Sequence, residues 1–371
     1  MDVQEFLHMN HGDGEFSYAH NSSAVPGHVF TETVKPAVEN VIKYQLLHNF
    51  TKQHKVLKVA DLGCGIGPTP VNFIATVIET MHKVCKEMMK KQQDDQVLEL
   101  QIYMSDLPST DFNMLFKDAL KLQGQTRDGT PLCFVMGAPG SFYGRLFPAK
   151  SLHFVHSSAA LHWLSQVPSG VRSEDGVELN KGSILASHTS TPYIQQTYFA
   201  QFKHDFTSFL TCRSQEVVTN AHMLLSFAGR KSKLSEHLLS THLCQALARL
   251  VSKGVITEEK LDSFNMPAYF PYKEQVEDII KEEGSFEIEN MKVTIDVAAS
   301  HLIKDTKLRA EAIGKFMRSI LETVISYHFG AQIWDTLPTE HNQVILEHLN
   351  SDNNEYYNVH FTILLKKKLD Y

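Results

Sequence analysis

The chain has 371 residues, a formal net charge of -7, 43% hydrophobic residues and 21% charged residues. This composition describes an ordinary globular protein with room for one large domain or a core plus a smaller one. It argues against nucleic acid as a partner, because a nucleic-acid surface is strongly basic. No apolar run approaches the ~18 residues of a membrane span, so no membrane contact is expected. Five scattered cysteines without a C-x-x-C pair, and an N-terminus without the regions of a signal peptide, predict a reduced, cytoplasmic protein. The twenty histidines show no H-E-x-x-H or other ligand spacing.

Residues 1–30 are polar and glycine-bearing, but Phe16 and Tyr18 are costly to leave loose in water. The segment reads as an N-terminal lid that packs over a ligand. Residues 31–49 place Val34, Ala37, Val38, Val41, Ile42 and Leu46 at helical spacing. A short buried strand follows at 56–60, ending in Asp61. Gly63, Gly65 and Gly67 then lead into a helix from Pro68, with residues 71–89 as its body. Glycines at such a turn let the backbone reverse and let a ligand approach without meeting a Cβ. The spacing is G-x-G-x-G. The dinucleotide fingerprint is G-x-G-x-x-G, so S-adenosylmethionine is the better-matched cofactor and a NAD-binding oxidoreductase the weaker one.

A second strand at 97–104 ends at Asp106, where a carboxylate can accept hydrogen bonds from ribose hydroxyls or cap the turn before Pro108. Strands at 132–137 and 151–158 follow. Ligands of open α/β sheets bind beyond the carboxyl ends of the strands, so Ser141, Phe142, His162 and Trp163 are placed to line one crevice. Trp163 would otherwise be core, the commoner fate of a lone Trp. Beyond this come a helix at 198–218, a strand at 222–230, helices at 234–254 and from 258, an aromatic and proline-rich break at 262–271, a strand at 286–295, a helix at 308–329 and a closing strand at 360–368. The pattern predicts an α/β fold with one sheet. The core would comprise 31–232 and 284–371, with a helical cap at 233–283 and further cap helices around 300–345.

Several blocks then occur in one order: Met9-Asn-x-Gly-x-Gly-Glu15, Ser17-Tyr-Ala-x-Asn-Ser22, Ala60-Asp-Leu-Gly-Cys64 with Gly67-Pro68, and Asp106-Leu with Asp111-Phe-Asn113. They continue in Pro139-Gly-Ser-Phe-Tyr-Gly-Arg-Leu-Phe-Pro148, His156-Ser-Ser158, Trp163-Leu-Ser-Gln-Val-Pro168 and Asp262-Ser-Phe-Asn265. The chain resembles the plant SABATH methyltransferases, which include the salicylate, benzoate and jasmonate carboxyl methyltransferases and the caffeine-pathway N-methyltransferases. The resemblance implies a Rossmann-like class I methyltransferase sheet with an inserted α-helical cap, S-adenosylmethionine as donor, and a homodimer. It implies that Tyr18, Ser22, Asp61, Cys64, Asp106, Leu107, Ser141 and Phe142 hold the cofactor together with the glycine loop, Gly63, Gly65 and Gly67, and the neighbouring Thr69. Asp106 would take the ribose, and Ser141 and Phe142 would flank the adenine. His162 and Trp163 match substrate contacts. Asn180, Asp262, Phe264 and Asn265 match a set proposed in some members to hold Mg²⁺.

The departures bear on the cofactor side and, further, on substrate choice. Asn10 stands where many members have Lys, and Thr69 where most have Asn; by the resemblance both lie by the cofactor and soften its binding at most. Ala159 stands where a bulky aromatic is usual, Ser240 where the salicylate pocket has a second Trp, and His28 where that pocket has a carboxylate-holding Gln. Losing two aromatic walls predicts a wider cavity, suited to a bulkier, non-planar acid of alkaloid-precursor or terpenoid type. The expected reaction is methyl-ester formation by positioning and desolvation, with Trp163 and His28 orienting the carboxylate; His28 could instead be a lid histidine facing water. The alternatives are N-methylation of a purine alkaloid and a non-catalytic binding protein.

Overall fold

Apolar runs bounded by glycine, proline and polar turns form seven strands among the described residues: β1 (Val56–Leu62), β2 (Glu99–Ser105), β3 (Leu132–Gly137), β4 (Leu152–Ser158), β5 (Val217–Gly229), β6 (Phe286–Val297) and β7 (Tyr357–Lys367). The structure is a computed structural model that describes residues 3–22, 33–48, 56–91, 98–123, 131–235, 237–297, 303–351 and 357–369. The strands make one sheet in the order β3-β2-β1-β4-β5-β7-β6. The first five are parallel, and β7 inserts antiparallel between β5 and β6. This is the α/β sheet expected from the sequence. β1 lies inside the sheet, and the strand order reverses between β1 and β4, which opens a crevice at the strand ends.

The helices are α1 (Val3–Phe6), α2 (Tyr18–Asn21), α3 (Lys35–His48), α4 (Pro68–Lys91), α5 (Phe112–Gln123), α6 (Pro192–Glu216), α7 (Leu238–Ser252), α8 (Glu258–Asp262), α9 (Lys273–Glu283), α10 (Thr306–Phe329) and α11 (Leu337–Leu349). The apolar stripes of α3, α4 and α5 cover one face of the sheet, where Ile42, Phe73, Val77 and Leu115 pack with Val59 and Ile102. On the other face Phe202, Phe206 and Phe209 of α6 meet Phe227 of β5 and Phe361 of β7. That core runs on without a break into α7, α10 and α11, so the cap helices share the sheet's hydrophobic core. α7 packs on α11 and α11 on α10, whereas α9 returns to α6 and β6.

Boundaries shift where local chemistry outweighs periodicity. α6 starts at Pro192, not near 198, because Thr191 Oγ1 accepts a hydrogen bond from Ile194 N at 3.3 Å and proline suits the first helical position. It passes straight into β5 at Val217, five residues before the expected strand, since Val217, Val218 and Thr219 are β-branched. α7 begins at Leu238 rather than 234, and Leu234 is exposed.

Candidate active site

The ends of β1, β2, β3 and β4 meet at a cavity of about 240 Å³. Its glycine-loop side is built largely by backbone. Gly63 N and Cys64 N both donate to Ser105 O, at 2.8 and 3.1 Å, which pins the loop to the end of β2. Gly63 has φ +68°, and a Cβ there would fall 2.4 Å from Ala160 Cβ. Gly67 has φ +90°, and its Cβ would fall 2.6 Å from Ala19 Cα. No L side chain fits either position, because the conformation is left-handed and the space is filled.

Asp106 ties two strand-end loops together. Its Oδ2 accepts from Gly65 N at 2.7 Å, and its Oδ1 accepts from Leu107 N at 2.7 Å and Thr110 Oγ1 at 2.8 Å. Its main-chain oxygen accepts from Gly140 N at 2.8 Å, which fixes the 139–142 loop after β3. Burial raises the carboxyl above the usual range against the pull of those hydrogen bonds. Burial, with Asp106 nearby, also pushes the Tyr18 phenol up to about 12 and the Cys64 thiol well above its ordinary value, so both stay protonated.

The cap side is built by side chains. Trp163 follows β4; its main-chain oxygen accepts from Tyr143 O–H, and it bridges to Ala268 in the segment after α8. It is 9% exposed, belongs to the core and lines the cavity, so both fates expected for it are realised. Its indole N–H has no hydrogen-bond partner among the described residues. His162, His237 and His360 share this side. Burial, then the neighbouring His360, pushes His162 down to about 3; burial, then His162 and His360, does the same to His237. Both rings are therefore neutral at pH 7. Phe316, Met317, Ile320 and Leu321 of α10 complete this wall. Asp106 is the one carboxylate among the described lining residues, and no Lys or Arg is among them.

The N-terminal segment straps across both sides. Val3, Leu7, His8 and His11 line the cavity. His8 O accepts from Thr323 Oγ1 at 2.8 Å, Asn10 N donates to Ser319 O at 2.9 Å, and Asn10 Nδ2 donates to Glu322 Oε2 at 2.6 Å. Glu15 pairs with Lys315 at 2.8 Å, and the Arg318 guanidinium lies 3.9 Å from the centre of the Phe16 ring.

A sequence profile described as "SAM dependent carboxyl methyltransferase" matches residues 4–368. The chain belongs to this family. It is 42% identical over 361 residues to a probable methyltransferase of Camellia irrawadiensis, covering 95% of each chain. It is also 42% identical over 358 residues to caffeine synthase 3 of Camellia sinensis, covering 94% of each. A solved loganic acid methyltransferase with SAH superimposes with a TM-score of 0.80 at 30% identity, over 98% of this chain and 99% of that one. The SABATH resemblance thus holds along the chain, the sheet is the Rossmann-like sheet of these enzymes, and the protein is an S-adenosylmethionine-dependent methyltransferase.

Within this family member, Tyr18, Gly63, Cys64, Gly65, Thr69, Asp106, Leu107, Ser141 and Phe142 line the cavity, as do Ala159, His162, Trp163 and Ser240 on the cap side. Three predicted cofactor residues stand behind the wall instead. The Asp61 carboxylate is buried 2.7 Å from His156 Nδ1, Ser22 is buried under α2, and Gly67 is covered by Ala19. Asn10 is engaged with α10 through Glu322 rather than lining the cavity. His28 lies outside the described residues.

Asn180, Asp262 and Asn265 do come together, with Phe264 beside them. Asn180 Nδ2 donates to Asn265 Oδ1 at 2.9 Å, Tyr198 O–H donates to the same oxygen at 3.3 Å, and Asp262 Oδ1 accepts from Gly182 N at 2.7 Å. The Phe264 ring packs on His328 and Phe329. Mg²⁺ wants several free oxygen ligands. Here Asn265 Oδ1 and Asp262 Oδ1 already accept from the protein, and the described residues hold no group of three or more His, Cys, Asp or Glu that could share a metal. These hydrogen bonds brace the loop before α6.

Sequence reasoning missed Arg213 and Glu216. Both are fully buried at the end of α6, with Nε–Oε2 2.7 Å and Nη2–Oε1 3.0 Å. Arg213 donates to Phe142 O and Gly144 O at 2.7 Å each, while Glu216 Oε1 accepts from Leu146 N and Phe147 N. The pair holds the Phe142 loop in place. Its signal was an Arg-x-x-Glu at a helix end facing an apolar stripe.

Proposed function

We propose that the chain transfers methyl from S-adenosylmethionine to the carboxylate of a small acid, forming a methyl ester. The donor supplies a methyl group on a cationic sulfonium sulfur. Asp106 would hold the ribose, Ser141 and Phe142 would flank the adenine, and Tyr18, Thr69, Leu107 and the glycine loop would enclose the rest, with Ser22 and Asp61 supporting from behind. A wall without Lys or Arg among the described residues suits a cationic donor.

The observation that carries the carboxyl reading is the chemistry of the cap side. A carboxylate is already ionised at pH 7 and needs only to be aimed and desolvated, and positioning of this kind supplies about 7–11 kcal/mol. The Trp163 N–H, without a partner among the described residues, can donate to one carboxylate oxygen and leave the other for the methyl carbon. A ring N–H acceptor must instead lose a proton; of the five histidines among the described lining residues, His162 and His237, pushed down to about 3, are too weakly basic to take it efficiently, which leaves His8, His11 and His360 as the bases that reading would need. Ala159 and Ser240 leave room for a bulkier, non-planar acid. His28 is kept as a second carboxylate donor, on the resemblance alone.

A second reading, N-methylation of a purine alkaloid, is favoured by the 42% identity to caffeine synthase 3. Labelled S-adenosylmethionine offered with panels of plant acids and methylxanthines separates the two. Base-labile label from the acids is expected; base-stable label from the xanthines would replace the carboxyl reading. A cytoplasmic homodimer completes the proposal on family resemblance, and light scattering that finds a monomer would remove that part.

A further inference from the structure

Behind the cap side lies a second hollow of about 380 Å³, walled by residues 179–191, the start of α7 and residues 268–270. His237, Ser240, Ala268 and Phe270 belong to both hollows. The His237 ring lies flat on Phe270, with centroids 3.6 Å apart and planes 4° apart. One stacked pair and two small side chains therefore divide the two spaces. The end of β5 runs past the divide: Ala228 lines the first hollow, and Arg230, two residues on, lines the second.

The electrostatics of this hollow are unlike those of the chain as a whole. The protein carries -7, yet the described residues lining the hollow include Lys181 and Arg230 and no Asp or Glu. Arg230 is half-buried, and its Nε is buried without a hydrogen-bond partner. Its Nη2 donates to Tyr269 O–H at 3.2 Å, and its guanidinium lies 5.6 Å from the Tyr269 ring centre and 5.5 Å from that of Tyr272. No carboxylate pairs with it among the described residues. A partly desolvated guanidinium with no counter-charge among the described residues is costly to keep, and it is geometrically suited to hold an anion. The hydroxyls of Ser187, Ser190 and Thr191 line the same space.

We propose that this hollow is an anion-binding annex of the acceptor site, in which Arg230 holds a second, distal anionic group of the substrate while the first carboxylate is methylated beside Trp163. The substrate class is then a dianion whose spacer passes the His237–Phe270 partition. The assignment rests on the carboxyl reading for turnover but not for binding.

The test uses linear α,ω-dicarboxylic acids of about six to about twelve carbons and the monomethyl ester of each, in two assays on the full chain. One is ester formation from labelled S-adenosylmethionine; the other is calorimetric binding with S-adenosylhomocysteine present. The expected result is a chain-length optimum for the diacids that the monoesters lack, with a preference of at least about tenfold at the optimum. Arg230→Gln should abolish that preference and Arg230→Lys should retain part of it, with thermal melts confirming that both variants fold. A flat length series in the wild type, or an optimum that survives Arg230→Gln, overturns the annex. Arg230-dependent diacid binding without ester from any acid upholds the annex and overturns the carboxyl reading. Absence of both turnover and Arg230-dependent binding overturns the annex.

Discussion

On the glycine-loop side of the cavity the wall is main chain, with Gly63 and Gly65 at φ +68° and +63° and the amides of Gly63, Cys64 and Gly65 donating to Ser105 O and Asp106 Oδ2. On the cap side the wall is side chains brought from β4, α7, α10 and β7, and their identity sets the volume. A backbone wall tolerates little change at a few positions. A side-chain wall tolerates change at most positions, and each change alters what fits.

Four variants test that contrast, and the largest effect belongs to neither wall directly. Arg213→Met leaves the buried Glu216 with Arg145 Nε, at 3.2 Å, as its remaining cationic partner, so it should cost about 3 kcal/mol of stability in a denaturant titration, the low end for a broken buried pair, and loosen the Phe142 loop. A loss below about 1 kcal/mol would mean that the loop does not depend on the pair. Gly63→Ala should weaken S-adenosylmethionine binding by at least about 30-fold in calorimetry, since the new methyl meets Ala160 and the backbone is left-handed. Adding Ala160→Gly should recover only part of the loss, because the strain at Gly63 remains. Trp163→Phe keeps a ring but removes the N–H. It should lower kcat/KM for the acid by about 10–100-fold while cofactor affinity stays within about twofold, and a matching loss of cofactor affinity would make Trp163 a packing residue only.

The smallest effect concerns pH. Burial pushes His341 of α11 down to about 4, so the folded state keeps it neutral where an unfolded chain would protonate it. Stability is complete above about pH 6.5 and falls as pH drops toward 4, by up to about 1.4 kcal/mol per unit. His341→Leu should flatten the fall in Tm between about pH 6.5 and about pH 5. An unchanged slope would assign the acid sensitivity to the other buried histidines, His162, His237 and His242, each pushed down to about 3 with burial as the largest cause.

The same contrast explains what could be read from the sequence. Gly63, Gly65, Asp106, Ser141 and Phe142 sit at strand ends, where turn geometry restricts residue type and marks the place. His162 and Trp163 were legible because they follow β4. Phe316, Met317 and Ile320 were not, because an apolar face on α10 looks the same whether it meets core or cavity. His237 and His360 were hidden among twenty histidines with no ligand spacing. Ala159 and Ser240 became informative only beside relatives that carry larger residues. Asn180 meets Asp262 and Asn265, far from it in the chain, because hydrogen bonds join the loop before α6 to the end of α8 and the segment after it.

The N-terminal strap touches both sides of the cavity at once, and it is fastened along α10 through Asn10, Glu15 and Phe16. A cover shared by two ligands couples them. Whatever factor S-adenosylmethionine adds to acceptor affinity by settling the strap, the acceptor must return to S-adenosylmethionine in equal measure. The two products meet the same cover on the way out, so loss of either one loosens the hold on the other.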